Sequence, residues 1–128
     1  MMTENSFATA INCIDGRTVR PLNDYFKQEY NIKYVDLITE PGPDKVLSEN
    51  QDQSIVQSIK RRVAISLVAH HSKTIAIVGH HECAANPSEA EEHIEQIKQS
   101  VTNLQKWGYE VTIIGLWINS DWQVQKVT

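Results

Sequence analysis

The chain has 128 residues, 41% hydrophobic and 22% charged, enough apolar material for one packed core and unlike a disordered or fibrous sequence. Its 12 basic and 16 acidic residues give a formal net charge of −4 with no Lys/Arg run, which argues against a nucleic-acid partner. No apolar run approaches the about 20 residues of a membrane span, so no membrane partner is expected either. Met1 to Ser6 shows neither the charged nor the apolar region of a secretory leader. With two cysteines only, a cytoplasmic location is expected, where paired Cys more often serves a metal or catalysis than a disulfide scaffold. Residues 1–128 contain no linker, repeat or low-complexity tract and read as a single domain.

Phe7 to Asn12 is a short, mostly apolar run and reads as a first strand. Leu22, Tyr25, Phe26 and Tyr30 fall at helical spacing, with Pro21 near the first turn. Ile32 to Ile38 is rich in β-branched residues and predicts a second strand. Thr39 to Asn50, with Pro41-Gly42-Pro43-Asp44, reads as a long loop, and Ser48 with Gln51 as a capping box for the next helix. That helix carries Ile55, Ile59, Val63 and Leu67 on one face, while Lys60, Arg61 and Arg62 face solvent. His70 and His71 close it, where a cationic imidazole suits the dipole.

Thr74 to Gly79 is an unbroken apolar run, suited to a strand buried on both faces. Ser88 with Glu91 suggests a second capping box, and Asn86-Pro87-Ser88 a helix entry. Ala90, Ile94, Ile97, Val101 and Leu104 form the stripe of the helix that follows, with His93 on its surface and Gly108 as its stop. Glu110 to Leu116 predicts another strand, and Trp122 to Val127 an edge strand or subunit contact. Strands alternating with helices imply a three-layer α/β fold. Its mainly parallel sheet has the order 2-1-3-4, a possible extra edge strand and helices on both faces. Winding then reverses between strands one and three, and ligands in such sheets bind at the carboxyl ends of the strands there.

Two clusters fall at that crevice: Cys13-Ile14-Asp15-Gly16-Arg17 after strand one, and Gly79-His80-His81-Glu82-Cys83 after strand three. Two thiols and an imidazole form a soft ligand set suited to Zn²⁺. The short spacer of His80-x-x-Cys83 lets both side chains reach one ion, with Cys13 as third ligand. Residues two apart in an extended turn point the same way, so Arg17 can hold Asp15 through a bidentate pair. The fourth metal position then stays open; a released Asp15 could close it. Taken singly, each residue has a plainer reading: a buried Cys as core filler, Asp15-Gly16 as a turn, Asp15–Arg17 as a structural ion pair. A Cys13–Cys83 disulfide is the rival chemistry, and it would leave His80, Asp15 and Arg17 without a joint purpose. His81 reads as a surface residue or a proton relay. Glu82 faces solvent or supports His80, and Trp107, Trp117 and Trp122 belong to core or interface.

Cys-x-Asp-x-Arg after the first strand and Gly-His-x-x-Cys after a buried one resemble the β-class carbonic anhydrase family. The late strand Val111-Thr112-Ile113-Ile114-Gly115-Leu116-Trp117 resembles the family's final core strand. The resemblance implies a β-carbonic anhydrase-like fold, with Cys13, His80 and Cys83 as zinc ligands and Asp15 as a fourth in a closed form. It implies Asp15 and Arg17 as the catalytic dyad, and reversible hydration of carbon dioxide to bicarbonate by zinc-bound hydroxide. The expected partners are that small-molecule substrate and further copies of the chain, in a homodimer or higher homo-oligomer. A hydrolase of carbonyl sulfide or carbon disulfide and a non-catalytic zinc-binding module are the alternatives. The chain departs from the family pattern at Gly16, where Ser is usual, and at Ala84, where Gly is usual.

Overall fold

A computed structural model describes residues 6–128; most of the stretch read above for a leader lies outside them. The elements in chain order are β1 (Phe7–Asn12), α1 (Val19–Tyr30), β2 (Tyr34–Thr39), α2 (Pro43–Glu49), α3 (Gln53–Ala69), β3 (Thr74–His80), α4 (Ala90–Gln105), β4 (Thr112–Ile118) and β5 (Val124–Lys126). A short 3₁₀ turn, Gly16–Thr18, joins β1 to α1. The sheet order is β2-β1-β3-β4-β5, with β5 antiparallel and the other pairs parallel. The expected order thus holds, and Val124–Lys126, within the stretch read as an edge strand or subunit contact, supplies the edge strand.

The strand pleat separates two cores. Ala8, Ala10, Ala76, Val78, Ile114, Leu116 and Ile118 meet Leu22 and Phe26 of α1. Ile11, Ile75, Ile77 and Trp117 meet Val56, Ile59 and Val63 of α3 and Ile97, Val101 and Leu104 of α4. β1 and β3 are covered on both faces, which is why they read as unbroken apolar runs. β1 pairs with β2 on one side and β3 on the other, so the reversal of winding falls between β1 and β3.

Four local expectations change. Thr39 to Asn50 is not all loop, because Pro43–Glu49 forms α2. Pro43 stands at the start of that helix, where its missing N–H costs nothing, and Gly42 supplies φ +56 just before it. A Pro-Gly-Pro run that looks like a breaker is here a helix entry. α3 is capped by Asp52, whose Oδ1 accepts the Ile55 N–H, and not by Ser48 with Gln51. α4 starts after Glu89 with no side-chain cap, and the Ser88 hydroxyl instead donates to Asn86. His93 is buried, not on the surface. His70 does sit at the C-cap of α3, and its Nδ1–H donates to Asp36 at 2.6 Å.

Candidate metal centre

Cys13 follows the carboxyl end of β1, His80 is the last residue of β3, and Cys83 lies three residues beyond it. All three side chains are buried. Their donor atoms lie within 4.8 Å of one another. Both cysteines are free, with sulfurs 3.9 Å apart. A zinc tetrahedron with Zn–S bonds of about 2.3 Å has an S–S edge of about 3.8 Å, so this separation suits two ligands of one ion.

The histidine is set for the same purpose. His80 Nδ1 lies 2.7 Å from the His81 carbonyl, an acceptor only, so Nδ1 carries the proton and Nε2 keeps its lone pair. That Nε2 is buried and has no hydrogen-bond partner among the described residues. A buried, unpaired acceptor is costly unless something else occupies its lone pair. Fixing one ring nitrogen on a carbonyl is also the usual way a metal-binding imidazole is oriented.

Burial pushes the Cys83 thiol up to about 11, and the nearby Cys13 adds to this, while N–H groups of Ala85 and Asn86 pull the other way. Two buried thiolates side by side are unfavourable without a cation between them, and a dication removes that conflict. The donor chemistry therefore fits a soft divalent metal such as zinc.

Asp15 and Arg17 stand at the mouth of this cluster. Arg17 Nη2 lies 2.7 Å from Asp15 Oδ2, Nε lies 3.1 and 3.2 Å from the two carboxylate oxygens, and the Arg17 N–H donates to Oδ1 at 3.0 Å. These bonds, the side-chain ones foremost, hold the Asp15 carboxyl at about 2, with the positive charge of Arg17 adding to them. Asp15 in turn raises the Arg17 guanidinium. Asp15 is not among the mutually close donors. The structure thus brings three donors together and leaves the Asp15 carboxylate on arginine.

Three neighbours have partners that the residue pattern did not show. Glu82 faces solvent, as one of its two readings had it, and from there accepts from Arg17 Nη1 at 3.3 Å, while its carbonyl accepts from Nη2 at 3.4 Å. Trp122 places its ring under the same guanidinium, 4.7 Å away. Asn86, read as part of a helix entry, is buried and anchors the loop after Cys83. Its Nδ2 donates to Asp44 at 3.1 Å and to Gln96 at 2.7 Å, and its backbone N–H to the Cys83 carbonyl at 3.2 Å. Asp44 also accepts from His93 Nδ1 at 2.5 Å, both residues being 1% exposed. A Cβ built on Gly79 would lie 2.6 Å from Asp44 Oδ2, so this acid presses against the residue just before His80. His81 is partly exposed beside Glu82, while Trp117 packs on His93 and Trp107 lies under Lys60. An open groove of about 680 Å³ runs past Gly16, Arg17, Arg20, Pro21, Asp24 and Trp122.

Residues 3–128 match the family described as "Putative carbonic anhydrase". Among solved structures, β-carbonic anhydrase isoform I of the protozoan Trichomonas vaginalis is similar, with 16% identity and TM-score 0.64 over 98% of this chain and 84% of that one. The β-carbonic anhydrase CafA of Aspergillus fumigatus gives 10% identity and TM-score 0.53, over 97% and 76% of the two chains. A structure from work on two tetrameric β-carbonic anhydrases of Sordaria macrospora gives 9% and 0.52, over 97% and 81%. At these identities the likeness to the solved structures is one of fold. No curated protein matches the chain.

Proposed function

The chain belongs to this carbonic anhydrase family as a divergent, β-carbonic anhydrase-like member, and from that premise we propose that it is a zinc-dependent lyase hydrating carbon dioxide reversibly to bicarbonate. The observation that carries the reading is the convergence of Cys13, His80 and Cys83 donors within 4.8 Å, beside a carboxylate that Arg17 holds by both oxygens. Zinc bound there supplies the Lewis acidity that lets water act as a nucleophile near neutral pH.

The chain's own residues do the rest. Cys13 and Cys83 would hold the ion as thiolates, and His80 through Nε2, while the His81 carbonyl keeps the ring in place. Arg17 keeps Asp15 out of the donor set, so three side chains of this chain would hold the ion. The same carboxylate is ionised across the neutral range and can accept a hydrogen bond from a reacting water at its edge. Arg17 also places a positive charge where bicarbonate forms. The exposed imidazole of His81, next to the ligand, can pass the released proton to solvent.

The test is stopped-flow carbon dioxide hydration by zinc-loaded protein, with metal content measured on the same samples. About one zinc per chain and hydration above the buffer rate are expected. Cys83→Ser should lose zinc affinity by more than about 100-fold, beyond the about 10- to 100-fold typical of removing a supporting residue behind a ligand. Asp15→Ala should keep the metal and lose rate. Zinc with no turnover would favour the non-catalytic module, and full zinc retention in Cys83→Ser would overturn the ligand assignment.

A further inference from the structure

Arg17 has three contacts of different kinds. Asp15 is its charge partner, Glu82 is a largely exposed second acid, and Trp122 is a ring on which the guanidinium rests. The contact with Glu82 is long and solvated, and such contacts contribute little. Trp122 differs in that the backbone is bent to deliver it. Its φ is +59, a left-handed conformation that bulky side chains rarely adopt.

The loop between β4 and β5 holds that conformation in place. Asn119 Oδ1 accepts the N–H groups of Asp121 at 3.0 Å and Gln123 at 3.1 Å, and the Trp122 N–H donates to the Asn119 carbonyl at 2.9 Å. Immediately afterwards β5 pairs with β4, fixing the far end of the loop. The indole so delivered spans the site: its ring lies 6.4 Å from the His80 ring and 4.7 Å from the Arg17 guanidinium.

We propose that Trp122 is a positioning residue: by carrying the Arg17 guanidinium on its ring, it keeps Asp15 bound to arginine and away from the metal donors. The inference rests on the metal-centre reading above. A cation resting on an indole is attracted to the ring and loses some access to water. Both effects strengthen the hold of Arg17 on Asp15. Without the ring, arginine is free to turn into the groove, and Asp15 can compete for the fourth metal position.

The test uses metal-free full-length protein titrated with Co²⁺ against a chelator, recording affinity and the visible absorption of the bound cobalt. In Trp122→Ala, cobalt should bind about 5-fold tighter, the size of a moderate cation–π contact. Its absorption should shift as a carboxylate oxygen joins the sulfur and nitrogen donors. Trp122→Phe, which keeps a ring, should stay within about 2-fold of wild type. Adding Asp15→Asn to Trp122→Ala should abolish both the gain and the shift, a coupling that a merely structural tryptophan would not show. Unchanged or weaker cobalt binding in Trp122→Ala, or a gain that persists with Asp15→Asn, overturns the role of Trp122 and leaves the metal centre standing. Failure of the wild-type protein to bind Co²⁺ overturns the metal centre and the inference with it.

Discussion

Two acid–base pairs flank the same three donors, and they are built in opposite ways. At the mouth, Asp15 and Arg17 meet in partial contact with water, the arginine side chain being 49% exposed. Behind the site, Asp44 and His93 meet at 1% exposure each, with Asn86, Gln96 and Ser100 hydrogen-bonded around Asp44, while His93 Nε2 has no partner among the described residues. The first pair is held by side-chain bonds that solvent can replace. The second has no such replacement, since breaking it leaves a charge or an unpaired polar group in the core. An exposed pair can exchange partners and suits a movable gate. A sealed pair suits a fixed wall, and here it fixes the Cys83 loop through Asn86 and the β3 terminus through Gly79.

The contrast is sharpest at Asp44. Asp44→Ala should destabilise the fold by about 3–5 kcal/mol in denaturant unfolding, the usual cost of breaking a buried pair. A change below about 1 kcal/mol would mean that the pair is not the wall described here. Gly79→Ala comes next. Its new methyl would meet Asp44 Oδ2 at 2.6 Å and Ile97 Cδ1 at 3.0 Å, both sealed in. A loss of about 1–3 kcal/mol is expected from such overpacking, together with weaker metal binding, because the strand must shift next to His80. Unchanged stability would show that Asp44 can yield.

The smallest effect belongs to the exposed pair. Asp15 is lowered from 3.8 to about 2 in the fold, so the folded state holds this proton less tightly than the unfolded chain. Its contribution to stability is therefore present above pH 3.8 and is lost as pH falls toward about 2. The carboxyl carbon of Asp15, followed by NMR in metal-free protein, should titrate near 2, and Arg17→Ala should return it toward 3.8. Asp15→Asn should barely change the unfolding midpoint at pH 7, as befits a solvated pair. A large loss there would erase the distinction between gate and wall.

The strands that position the donors were legible from residue pattern alone. β1 and β3 are buried on both faces, and such strands must be apolar throughout; β4 carries a similar run. The spacings Cys-x-Asp-x-Arg and His-x-x-Cys were equally readable, because short spacers limit where neighbouring side chains can point. α2 was missed because Pro and Gly mark a helix entry as readily as a turn, and only packing against α4 distinguishes the two. His93 looked like a surface residue because its partner, Asp44, is 49 positions away. Trp122 is further still from Arg17 along the chain, and no local pattern announces a left-handed tryptophan.

The alternation of strands and helices, the winding order and the three candidate metal donors could be read from the amino-acid sequence. These depend on periodicity and on near neighbours along the chain. Packing across the fold settled which acid stayed in contact with water and which was sealed in the core, and which aromatic ring came to rest under Arg17. The physical reason is that burial and partner choice across the fold are set by the packing of distant elements. An aspartate or a tryptophan has the same chemistry in either place until that packing fixes how much water reaches it.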